Sequence, residues 1–241
     1  MRPSVRILLA LCAASVLIAS ASAAPKKHLV VLGAARKVAY SRAGDPSGAL
    51  AGEDSLRVRA LIVDGVVKEW TTGDAHDVTD RSFVVRRALR LNDTLPGEKP
   101  GAEPKLVQWV WQRGPWLLVD RETGHVSALK LPDYDPGVSQ VSWFRDFAAY
   151  CGLTATGKSL YAVVAQVAKG KALLSKRLSA FDPADHADPV CAAPEWQREP
   201  MRVTFHPTGR DAAAFDLAPG SAVLIEDADA DAGDAGGGGG Q

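Results

Sequence analysis

Residues Ser139–Ser179 read SQVSWFRDFAAYCGLTATGKSLYAVVAQVAKGKALLSKRLS, and this stretch decides the fold. Taken with Val138 it divides into four apolar runs: VSQVSWF, FAAYCGL, SLYAVVAQV and ALLSKRL. The breaks fall at Arg145-Asp146, Thr154–Lys158 and Lys169–Lys171. Short runs of β-branched, aromatic and apolar residues between Gly and polar breaks are strands joined by tight turns. The stretch therefore predicts a four-stranded antiparallel meander.

Similar runs lie on the N-terminal side. HLVVL (His28–Leu32) and KVAYS (Lys37–Ser41) read as strands around Gly33. In SLRVRALIVDGVVKEWTTG, Leu56, Val58, Ala60 and Ile62 alternate with Arg57, Arg59, Leu61 and Val63 before Asp64-Gly65, a strong hairpin signal. RSFVVRRALRL fits a strand, with Phe83, Val85, Leu89 and Leu91 on one face, or a short helix. Arg81, Arg86, Arg87 and Arg90 would then form a basic stripe on a wet face. LVQWVWQ and WLLVD should flank a hairpin at Arg113-Gly114-Pro115. Arg42–Asp54 is a long Gly/Pro/Ala loop, and the Pro/Gly-rich Asn92–Pro104 is the natural place for an internal boundary.

The first 23 residues read as an address. Arg2 and Arg6 precede an apolar Ile7–Ile18, and Ala21-Ser22-Ala23 is an A-x-A cleavage site. That is the pattern of a secretory signal peptide, cut near Ala23, and it places the protein in the periplasm or outside the cell. Twelve apolar residues are too few for a hydrocarbon core of about 30 Å, so no membrane span is expected. In an oxidising compartment Cys151 and Cys191 are expected to form a disulfide. At 40 positions apart, closure contributes roughly 3–4 kcal/mol in the chain-entropy model. The remaining body, residues 24–225, is large enough for one all-β domain. Its charge is about +3, too small a bias to imply nucleic acid. The acidic, Gly-rich tail 226–241 has the composition of a disordered segment.

Two groups of residues are candidate ligand contacts. Asp74, His76, Asp77 and Asp80 crowd the stretch Gly73–Arg81, and carboxylates with an imidazole can hold a metal or move a proton. The alternative is a solvated turn capped by Asp and Thr side chains. Trp109 and Trp111 alternate onto one face with Trp116 nearby, a platform for flat ligands or a piece of core. His186 with Asp182, Asp185 and Asp188 repeats the acid–imidazole pattern.

Two motifs mislead. Gly152–Ser159, GLTATGKS, matches the phosphate-binding G-x-x-x-x-G-K-[ST], but a strand-forming SLYAVVAQV follows where a helix is required. Ser127 and Lys130 match S-x-x-K, but in a strand residues three apart point to opposite faces. No cofactor follows from either.

WLLVDRETGHVSALKL (Trp116–Leu131), followed by VSQVSWFRDFAAYCGLTATGKSLYAVV, resembles the repeat of bacterial β-propellers of the tolerance-protein or surface-repeat kind. MRVTFHPTGRDAAAFDL (Met201–Leu217) echoes it, and the resemblance covers Trp116–Leu217. It implies a propeller-like fold of four or five blades of about 40 residues, closed or incomplete. A twisted β-sandwich is the alternative. The whole chain also resembles exported proteins of environmental bacteria, which implies no activity. The resulting expectation is an exported binding or scaffold module with an envelope protein or glycan as partner. The competing expectation is a metal-dependent or hydrolytic enzyme using Asp74, His76, Asp77 and Asp80.

Overall fold

A computed structural model of the chain describes residues 27–42, 45, 53–92, 109–180, 191–218 and 221–225. The expected signal peptide (residues 1–23), the Asp182–Asp188 cluster and the acidic tail lie outside the described residues.

The fold is all-β and antiparallel, in three sheets, none of them closed. The first runs β1 (Val30–Leu32), β3 (Ser55–Val63), β4 (Val66–Thr79), β5 (Ser82–Asn92), β6 (Trp109–Asp120) and β7 (Val126–Ala128), with β2 (Arg36–Ala39) sharing the β3 edge. The second is the meander β8 (Ser142–Phe144), β9 (Phe147–Leu153), β10 (Ser159–Gln166) and β11 (Lys171–Ala180). The third is β12 (Glu195–Gln197), β13 (Arg202–Phe205), β14 (Ala213–Ala218) and β15 (Ser221–Ile225).

The meander follows its sequence. Its breaks are the turns at Arg145-Asp146, Thr154–Lys158 and a 3₁₀ turn at Val167–Lys169. The GLTATGKS stretch is a hairpin: Thr154 and Ser159 pair across it, and a strand continues from Ser159. Both faces of its central strands β9 and β10 are buried, which is why those two strands are apolar without alternation. One face (Ala149, Cys151, Leu160, Ala162, Val164) packs on Val203, Phe205 and Phe215 of the third sheet. The other (Ala148, Tyr150, Val163, Ala165) is covered by Leu131, Tyr134, Val141 and Trp143. Cys151 and Cys191 stand at disulfide distance, with Cα atoms 6.2 Å apart, and link β9 to the residue that bridges Pro207 ahead of the β13–β14 turn.

The first sheet departs from its sequence in three places. The β3–β4 hairpin is as expected, with Asp64 and Gly65 at φ 51° and 80°, the positive values such two-residue turns need. RSFVVRRALRL is a strand, not a helix. Arg113-Gly114-Pro115 is not a turn: β6 passes straight through it and pairs with β5 from end to end. Gly114 and Pro115 together oppose Arg87, so β6 carries one extra residue, a bulge that absorbs the proline's missing N–H. A Cβ on Gly114 would come within 2.9 Å of Leu89, so only glycine fits there. The residues on either side of 92–104 therefore belong to one sheet. Past the bulge, Ala88 rather than Leu89 or Leu91 enters the core.

This sheet is twisted strongly enough to bury both faces at different corners. On β3, Leu61 points away from Leu56 and Val58. Leu61 packs with Phe83, Val85, Leu117 and Val119, while Leu56 and Val58 pack with Ala88 and Trp111. A right-handed twist makes a sheet saddle-shaped, lifting opposite corners toward opposite sides. One corner brings Ser41 N–H to the Trp111 carbonyl at 2.9 Å. The other brings Gly124 against Val63 and His28. Between them Val78, Val84, Trp116 and Leu118 meet Trp143 and Val167 of the second sheet.

Candidate ligand-binding cleft

The three sheets meet around one short hairpin. Phe144 and Phe147 pair across the turn Arg145-Asp146, so Arg145 is held at φ 51°. A non-glycine residue there costs roughly 1 kcal/mol. The turn is pinned from behind: the Asp146 carbonyl accepts from Val167 N–H at 2.9 Å, and its carboxylate accepts from Gln166 Nε2 at 2.6 Å. In front, the Arg145 carbonyl meets His76 Nε2 of β4 at 2.7 Å. The His76 ring stacks on Trp143 (5.7 Å, 22°), which meets Trp116 edge-on at 4.9 Å. On the third sheet Trp196 stacks on Phe144 (5.4 Å) and donates to the Ser142 carbonyl at 3.2 Å.

These contacts leave a cleft of about 590 Å³ lined by His76, Trp143, Phe144, Arg145, Arg198, Glu199 and Met201. Each sheet supplies part of the wall, and the size is that of a small-ligand site. Among the described residues, Arg59, Arg81, Arg86, Arg87, Arg113, Arg121 and Arg202 each contact a carboxylate. Arg145 and Arg198 contact none among them; Arg145 lies instead over the Phe144 ring at 5.3 Å.

The expected acid–imidazole cluster is dispersed along β4. Of its four members only His76 lines the cleft. Asp77 pairs with Arg121 at 2.6 Å, Asp74 reaches Arg59 at 3.6 Å from a fully exposed position, and Asp80 sits exposed in the β4–β5 turn. Among the described residues no three His, Cys, Asp or Glu side chains converge as metal ligands would. The tryptophans are likewise distributed. Trp111 is core, edge-on to Trp70; Trp116 packs at the sheet junction; Trp109 is exposed under Arg90, 4.2 Å from its ring centre.

The arginine stripe is wet at Arg81 and Arg90, half-buried at Arg87 and buried at Arg86. Arg86 is only 9% exposed. It donates to the Gly114 carbonyl and to Tyr134 Oη (2.6 Å), lies over Trp116, and stands 3.9 Å from Asp45. Burial raises the Tyr134 hydroxyl above its ordinary pKa, opposed by the Arg86 charge. Arg87 pairs with Glu69 and Arg81 with Glu122.

The cleft residues 143–145 and 198–201 went unread in the sequence. One signal was available: a two-residue hairpin written Arg-Asp, where Asn-Gly or Asp-Gly is the unstrained choice. Comparison of the chain with protein-family models, with curated proteins and with solved structures found no match.

Proposed function

We propose that this is an exported binding module whose ligand sits in the cleft between His76, Arg145 and Arg198. The observation that carries it is the cleft's construction: a strained, doubly pinned turn holds a guanidinium with no carboxylate partner among the described residues where three sheets converge. Strain kept in place by its surroundings concentrates at functional sites. The two consecutive four-stranded meanders, β8–β11 and β12–β15, support a propeller-type reading in which each is one blade. The expected signal peptide supports export. The cationic and aromatic side chains that line the cleft beside His76, among the described residues, suit the holding of a ligand.

A thermal-shift screen of residues 24–241 against metals, nucleotides, sugars and peptidoglycan fragments tests this. A ligand at 100 times its dissociation constant adds about 2.7 kcal/mol, a shift of several degrees at this size. The hit should disappear in Met201→Trp, which fills the cleft, and in Arg198→Trp at its mouth. A hit retained in both variants would place the binding site elsewhere.

A further inference from the structure

We propose that the ligand of this cleft carries an anionic oxo group, carboxylate or phosphate, gripped by Arg145 and Arg198. The inference rests on the binding reading above and adds the chemistry. Most arginines of the first sheet contact a carboxylate, even in the exposed pairs Arg81–Glu122 and Arg121–Asp77, while Arg36 and Arg90 lie over tryptophan rings and Arg57 contacts no carboxylate among the described residues. The two guanidinium groups at the cleft have no such partner among the described residues. Both are exposed and free to turn toward a ligand, and a guanidinium fork suits the two oxygens of a carboxylate or phosphate. Glu199 lies on the same wall and disfavours a ligand of uniform negative charge. The anion is therefore one end of a mixed ligand whose remainder rests on Trp143, Phe144 and Met201. His76 is committed to the Arg145 carbonyl, so its role is to position the turn rather than to touch the anion.

The backbone of Arg145 separates a binding role from a structural one. At φ 51° glycine is the relaxed residue. If Arg145 served the fold alone, Arg145→Gly would leave ligand behaviour untouched. If it serves binding, Arg145→Gly stabilises the protein while weakening the anion site.

The probes are phenylacetate and phenyl phosphate, each an anionic head on an aromatic body, with phenylacetamide as the uncharged counterpart, titrated into residues 24–241 at constant ionic strength. Intrinsic tryptophan fluorescence, compared between wild type and Trp143→Phe to isolate the cleft's signal, reports on binding, and thermal unfolding reports on both stability and binding. Phenylacetate or phenyl phosphate should bind, phenylacetamide should not, and the one that binds better identifies carboxylate or phosphate. Arg198→Gln should weaken binding about tenfold or more, as expected for charge-assisted hydrogen bonds. Arg145→Gly should do the same while raising Tm by about 2–4 °C. Absence of binding by both anions, or binding unchanged in the Arg145→Gly/Arg198→Gln double variant, would overturn the proposal. An uncharged ligand that is lost in Met201→Trp but kept in the double variant would overturn the anion and leave the cleft standing. No ligand of either kind at the cleft would sink both.

Discussion

On β5 the buried position opposite Trp116 is occupied by Arg86; on β9 the equivalent depth is filled by Tyr150 and Cys151. The contrast follows from the backbone. The second sheet's central strands, β9 and β10, pair in continuous register over seven residues, from Gln166↔Phe147 to Leu160↔Leu153. Their peptide groups pair within the ladder, so the side chains packed against them are apolar apart from two neutral hydroxyls that find backbone carbonyls, Ser139 on Cys151 and Tyr150 on Pro132, each at 2.6 Å. The first sheet is bulged at Gly114-Pro115, which turns a carbonyl out of the ladder. That carbonyl is the acceptor of Arg86 Nε. An irregular sheet can thus hold a cation in its core because it has released the group that binds it. The same sheet then carries Arg113, Tyr40 and Asp45 as a continuing polar network, with Arg113 3.0 Å from Asp45 and 2.7 Å from Glu53.

If stability in the later sheets resides in apolar packing, the largest loss should come from Phe205→Ala. This side chain is fully buried, edge-on to Phe215 at 5.9 Å, and its removal should cost about 3–5 kcal/mol. Urea unfolding should show a lower midpoint at unchanged slope, and the loss should be the same in low salt and in 1 M NaCl. A strong salt dependence would break the contrast between the two halves. Arg86→Met comes next. It strands the Gly114 carbonyl and Tyr134 hydroxyl, but Asp45 keeps Arg113, so the cost should be about 2–3 kcal/mol. A neutral or stabilising outcome in the same urea experiment would mean that the bulge does not require its cation.

The smallest effect sharpens the comparison at the edge of the first sheet. Asp120 opens the turn to β7, accepting from the backbone N–H groups of Thr123 (2.9 Å) and Glu122 (2.8 Å). These hydrogen bonds hold its carboxyl below the ordinary value of 3.8. A lowered folded pKa contributes stability that is complete above the unfolded value and is lost as pH falls through the folded one. Wild type should therefore lose slightly more stability than Asp120→Asn between about pH 4 and the lower folded pKa. Parallel pH profiles of the two proteins would remove Asp120 from the account.

How much was legible follows the same division. The meander β8–β11 could be read strand by strand because its central strands, buried on both faces, write themselves as uninterrupted apolar runs. The first sheet was harder, since a single inserted residue inverts which side chains face inward. On β6 that residue puts Trp111 and Leu117 on opposite faces; on β5 Ala88, not Leu89, enters the core because the twisted sheet there buries the face opposite Phe83 and Val85; and Arg113-Gly114-Pro115 carries the composition of a turn while serving as a bulge. The polar run Asp74–Asp80 looked like a site because sequence proximity was its only visible property. On an extended strand successive side chains point apart, and the partners that claim them, Arg59 and Arg121, lie far away in the chain.

The sequence by itself determined the strand class, the breaks of the meander, the Asp64-Gly65 hairpin and the pairing of Cys151 with Cys191. Each rests on local chemistry: residue period, turn conformation, or the presence of just two cysteines in residues 24–241. The tertiary structure alone decided that His76, Arg145 and Arg198 share a cleft, that Arg86 is buried, and which arginines keep a carboxylate. Those are consequences of how three sheets meet. Residues more than fifty positions apart come together there through twist and packing, and no local pattern records that distance.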